Sequence, residues 1–97
     1  MFDQMKKLME MKKQADQIKR ELEASKTEVS DDSGITIVID GAQKFHSIEI
    51  DPSLLREDSR ESLQQRILKS INHAIAKSQA MAAEKMKKMA GLNIPGF

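Results

Sequence analysis

The hydrophobic period of this chain changes twice along its length, and that change limits the folds open to it. From Phe2 to Ser25 there is neither Gly nor Pro, and Leu8, Met11, Ala15, Ile18 and Leu22 recur in a 3-4-3-4 rhythm. That rhythm is the narrow a/d seam of a helix that needs a partner helix. A helix over residues 2–25 spans roughly 36 Å at about 1.5 Å per residue. The period then drops to two. Ile35-Thr36-Ile37-Val38-Ile39-Asp40 is β-branched and alternating, which predicts a strand over 35–40 with its three Ile on one face. Asp31-Asp32-Ser33-Gly34 before it reads as a turn, making 27–30 a short preceding strand. Gly41-Ala42-Gln43-Lys44 reads as a second turn leading to a strand over 45–50. Strict alternation puts Val38 and Phe45 on the faces opposite the Ile sets, so the sheet is expected to be covered on both sides.

Asp51-Pro52 stops the third strand, because Pro cannot donate to the ladder. A helical turn is expected over 53–57, and a long helix over 60–90, again free of Gly and Pro. Leu63, Ile67, Leu68, Ile71, Ala74 and Ile75 give it a wide apolar face suited to lying on a sheet, which narrows beyond Lys77 to Met81, Ala82, Met86 and Met89. Gly91 is expected to end it, leaving 91–97 as a loose tail. The reading is an α+β fold of order α-β-β-β-α-α in one domain over residues 1–97, since 97 residues do not suffice for two.

The net charge of +1 conceals a segregation. Residues 1–20 carry six basic side chains against three acidic, residues 21–62 carry four against eleven, and residues 63–97 carry six against one. Both ends are basic and the middle is acidic, and this local distribution governs what the chain attracts. If the two long helices pack antiparallel, residues 1–13 lie beside 78–90. Lys6, Lys7, Lys12 and Lys13 then share one tip with Lys85, Lys87 and Lys88. All seven Met fall in the same two stretches, and flexible Met side chains suit a loose helical seam.

Other chemistries find little support. The absence of Cys excludes disulfides and thiolate zinc sites. His46 and His73 stand 27 positions apart without a convergent ligand set, so no metal is expected and both read as structural or surface residues. Asp31-Asp32 is a turn, and Asp51 a cap before Pro52. The four Gly are scattered, so no phosphate-cradling loop is formed. No paired carboxylate or nucleophile supports catalysis, and neither cofactor nor small-molecule substrate is expected. Three Phe are the only aromatic residues, too few for stacking platforms that read single strands. No signal-peptide h-region and no apolar run of about 18 residues suggests a membrane span.

At Ile48-Glu49-Ile50-Asp51-Pro52-Ser53-Leu54-Leu55 the chain resembles the YbaB/EbfC family of small bacterial nucleoid-associated DNA-binding proteins, whose hallmark is a strand ending in Ile-Asp-Pro followed by a Leu pair. The Gln-, Lys- and Met-rich opening helix, Asn72 and Ala74, Lys85-Met86 and the Gly91-Leu92 terminus agree with it. The resemblance implies a tweezer-like homodimer with protruding helices that binds duplex DNA in the cytoplasm, at the nucleoid, without catalysis. Lys6, Lys7, Lys12, Lys13, Lys85, Lys87 and Lys88 are the expected phosphate contacts on charge placement. Val38 and Phe45 are the expected dimer interface, because the Ile35/Ile37/Ile39 face and the Leu63–Ile75 face can satisfy each other within one protomer. The alternative is a helical clamp that binds protein or peptide segments through its Met-rich tips.

Overall fold

A computed structural model describes residues 2–93; Met1 and the end of the expected tail, residues 94–97, lie outside them. The order is helix α1 (Phe2–Ala24), strands β1 (Lys26–Ser30), β2 (Ile35–Asp40) and β3 (Phe45–Ile50), two 3₁₀ turns (Pro52–Leu54 and Glu57–Ser59), and helix α2 (Arg60–Asn93). The fold is α+β, as the change of period predicts. The expected single turn over 53–57 is two turns. Asp51 caps the first by accepting from the Ser53 N–H, and the Ser59 hydroxyl closes the second on the Arg56 carbonyl.

The strands form an antiparallel meander in the order β1-β2-β3. Its first turn needs Gly34, which sits at φ +82°, and a β-carbon there would lie 2.9 Å from Leu54 Cδ1. Val29, Ile37 and Ile48 lie abreast, as do Ile35 and Ile50. The ladder between β2 and β3 shifts between Val38 and Ile39, so Ile39 stands opposite Phe45 and His46 is the extra residue. This β-bulge corrects the expected alternation. Paired residues share a face, so Phe45 joins the Ile side, not the side of Val38. The opposite face carries Glu28, Thr36, Val38 and Ser47 and is mostly polar, not the second apolar face expected.

Val29, Ile35, Ile37, Ile39 and Ala74 are fully buried, with Leu54, Leu63, Ile67 and Ile71 packed against them. Each buried Ile contributes about 1.5–3 kcal/mol. The sheet-facing stripe of α2 is Ser70, Ala74 and Ser78, at four-residue spacing and at most 2% exposed. Small side chains let the helix approach closely, and each hydroxyl is satisfied. Ser70 meets the Ser33 hydroxyl at 2.9 Å beside the first turn, and Ser78 donates to the Asp40 carbonyl at 2.6 Å at the end of β2. These two bonds set α2 along β2. Leu68, read from sequence as part of the covered face, points outward and is 55% exposed.

Helix α2 runs on through Gly91 to Asn93. A single Gly costs a helix only about 1 kcal/mol relative to Ala, and the nearest Pro is Pro95. Past Ser78 the helix extends about 22 Å beyond the sheet, and α1 leaves from the same end, giving a long axis of 67 Å.

Candidate nucleic-acid interface

Among the described residues, helix α1 meets the rest of the molecule near its last turns. Ile18 and Leu22 are half-buried, while residues 2–17 are exposed throughout. The anchor is the turn after β2. The Gly41 N–H donates to the Leu22 carbonyl at 2.9 Å and to the Ser25 carbonyl at 3.0 Å. A β-carbon at Gly41 would lie 3.0 Å from that Leu22 oxygen, so the close approach requires Gly.

Asp40 holds this turn in shape. Its carboxylate is 1% exposed and accepts from the N–H groups of Ala42 (2.8 Å) and Lys44 (3.0 Å), and pairs with His46 Nε2 (2.9 Å). Burial raises its pKa, but the Lys44 N–H, His46 and the Ala42 N–H together outweigh that and hold it below the ordinary carboxylate range. Gln43, at φ +65°, completes the turn. At the opposite end of the sheet, the Ser33 hydroxyl and N–H lower the pKa of Asp31, with a further contribution from His73, whose Nδ1 lies 3.5 Å away. Both histidines therefore face aspartates. Among the described residues no three His, Cys, Asp or Glu side chains converge as a metal site would require.

Lys6, Lys7, Lys12 and Lys13 lie on the projecting part of α1 and are all exposed, as are Lys87 and Lys88 on α2. Lys85 is placed differently. Its Nζ binds the Ser25 hydroxyl and lies 3.5 Å from a Glu21 oxygen. The antiparallel register expected from sequence set Lys85 beside residues 1–13, whereas it sits beside residues 21–25. Lys85 therefore does not share a tip with Lys6 and Lys7. Lys6 and Lys7 lie about 22 Å further along α1 than Glu21. The displacement follows from Ser78 and Gly41, which fix where the helices cross relative to the sheet.

Met5, Leu8, Met9 and Met11 are each about two-thirds exposed, leaving an apolar stripe uncovered between the lysines. A second apolar surface lies where α2, which covers β2 and β1, leaves β3 open. Phe45 (45% exposed) and Ile48 (50% exposed) border a groove of about 310 Å³ shared with Ile37 and Ile71. Val38 lies on the other face of the sheet, so no single flat surface contains both Val38 and Phe45. The sequence reading missed the Gly41–Ser25–Lys85 junction; the only signal for it was Gly in a turn. Asp31, Asp32, Glu57, Asp58 and Glu61 lie at the end of the sheet away from α1, interspersed there with Arg56, Arg60, Arg66 and Lys69, so that end is of mixed charge. No helix is long and apolar enough to cross a membrane among the described residues.

The family model described as the YbaB/EbfC DNA-binding family matches residues 1–92 of the chain. A nucleoid-associated protein of Syntrophobacter fumaroxidans is 33% identical over 98 residues, covering 99% of this chain and 89% of that protein. Nucleoid-associated proteins of Brucella ovis and Brucella canis are each 37% identical over 103 residues, covering 96% of both chains.

Proposed function

Because the chain belongs to the YbaB/EbfC DNA-binding family, a family of DNA-binding proteins and not of enzymes, we propose that it acts as a nucleoid-associated homodimer, gripping duplex DNA through phosphate contacts from its projecting helices. The observation that carries the reading is the exposed, lysine-bearing rod of α1, which projects clear of the mixed-charge end of the sheet. The excess of basic side chains on that rod, six against three over residues 1–20, turns it toward a polyanion. Lys6, Lys7, Lys12 and Lys13 make the leading contacts, with Lys87 and Lys88 beside the base of the rod. They bind phosphate without reading bases, so affinity is nearly independent of sequence. The protein works in the cytoplasm, at the nucleoid.

The second protomer docks on the open strip of β3, where Phe45 and Ile48 are half exposed beside Ile71 of α2. A two-fold axis along the 67 Å direction sets both α1 rods at one end of the dimer and doubles the lysines facing DNA. The uncovered Met5, Leu8, Met9 and Met11 favour a second reading, a clamp for apolar protein segments. Salt separates the two, because an apolar clamp keeps its ligand at high salt.

The test is a titration of unrelated duplexes over a range of salt concentrations. With about six to eight lysines engaged per dimer, log K falls against log salt with a slope of about −5 to −7. Replacing Lys6, Lys7, Lys12 and Lys13 by Gln abolishes most binding and flattens the slope, whereas replacing Lys26, Lys44 and Arg56 changes little. A flat salt dependence for the unaltered protein refutes the proposal.

A further inference from the structure

We infer that Lys85 is a positioning residue that fixes the angle of α1, and not a phosphate contact. Three observations lead there. The Lys85 ammonium is already engaged, with the Ser25 hydroxyl and with Glu21 at 3.5 Å. Those partners lie in the last turn of α1 and just beyond it, where the helix joins the sheet. The other polar attachment of that turn, among the described residues, is the Gly41 N–H to the carbonyls of Leu22 and Ser25.

Ile18 and Leu22 are half-buried at the base of α1; of its polar attachments, one point is a pivot, and a second point off the pivot sets a direction. Gly41 supplies the pivot. Lys85 supplies the second point, from a helix that is itself fixed by the Ser78 bond to Asp40 two turns earlier. The lever is long. From Glu21 to Lys6 and Lys7 is about 22 Å along α1, so a 10° swing at the base moves those ammonium groups by about 4 Å, roughly one base-pair rise. Lys85 and Glu21 side chains are 40% and 50% exposed, so their pairing adds little to stability. Its effect is on orientation. A phosphate contact and an orienting contact leave different traces: the first releases counterions and contributes to the salt slope, the second does not.

The affinity consequence rests on the proposed DNA binding, but the helix angle is measured without DNA. The chain has no Cys, so nitroxide labels at Gln4→Cys and Gln79→Cys report the spread between α1 and α2 in dimers diluted with unlabelled chain. In Lys85→Met the distance distribution broadens. Its DNA affinity falls about two- to fivefold, the scale of one exposed pair, with the salt slope unchanged. Lys85→Arg, which still reaches Glu21, retains the narrow distribution. Lys13→Gln keeps the distances and makes the slope shallower by about one unit. An unchanged distribution in Lys85→Met overturns the inference, and so does a slope shallower by one unit in that variant. If the unaltered protein failed to bind duplex DNA, the proposed function would fall while the distances still decided the role of Lys85.

Discussion

Removing the Asp40 carboxylate tests the junction from which α1 departs. The side chain is 1% exposed and serves Ala42, Lys44 and His46 at 2.8–3.0 Å. Asp40→Ala strands two backbone N–H groups and the imidazole in a partly buried turn, at a cost of about 3–5 kcal/mol. Asp40→Asn keeps an oxygen for the two N–H groups but loses the charge, costing about 1–3 kcal/mol. Urea unfolding followed by helical circular dichroism, at one fixed protein concentration, gives both differences. The pH dependence supplies the sign. The folded pKa of Asp40 is held below its ordinary 3.8, so its carboxylate stabilises the fold fully above that value. The contribution is lost as the pH falls through the folded pKa. The gap between wild type and Asp40→Asn is therefore full at pH 7 and closes as the pH falls below 3.8 and through the lower folded pKa. A gap that stays constant over that range, or an Asp40→Ala cost under about 1 kcal/mol, refutes the view of Asp40 as the organiser of the turn.

Three further outcomes follow from the packing. Ile37→Ala, at the centre of the core and 1% exposed, loses about 2–5 kcal/mol by urea unfolding. Gly41→Ala forces its new methyl against the Leu22 carbonyl; amide exchange in the last turns of α1 then quickens while exchange in β2 holds. For the proposed dimer across β3, Phe45→Glu gives a monomeric mass in sedimentation experiments at micromolar concentration, whereas Val38→Ser on the opposite face leaves the dimeric mass unchanged.

The elements themselves were legible in the sequence because each rests on local periodicity. The a/d seam of α1, the alternating Ile of β2 and the uninterrupted run into α2 need no knowledge of the rest of the chain, and strands 35–40 and 45–50 fall where the pattern puts them. Gly91 misled because a cap signal is weaker than the propensity around it. The family, too, was legible, through an ordered set of short motifs. What tertiary structure alone decided was phase and register. One extra residue at His46 turned Phe45 onto the Ile face, and the bulge carries no Gly to announce it. The serines of α2 read as polar interruptions until Ser33 and the Asp40 carbonyl supply their partners. From sequence Lys85 reads as one of the phosphate contacts of a shared tip; the crossing point fixed by Ser78 and Gly41 brings it to Glu21 and Ser25 instead. Periodicity fixes which side chains share a face of one element. Which residues of two elements meet depends on bonds between segments dozens of residues apart, and no local pattern encodes them.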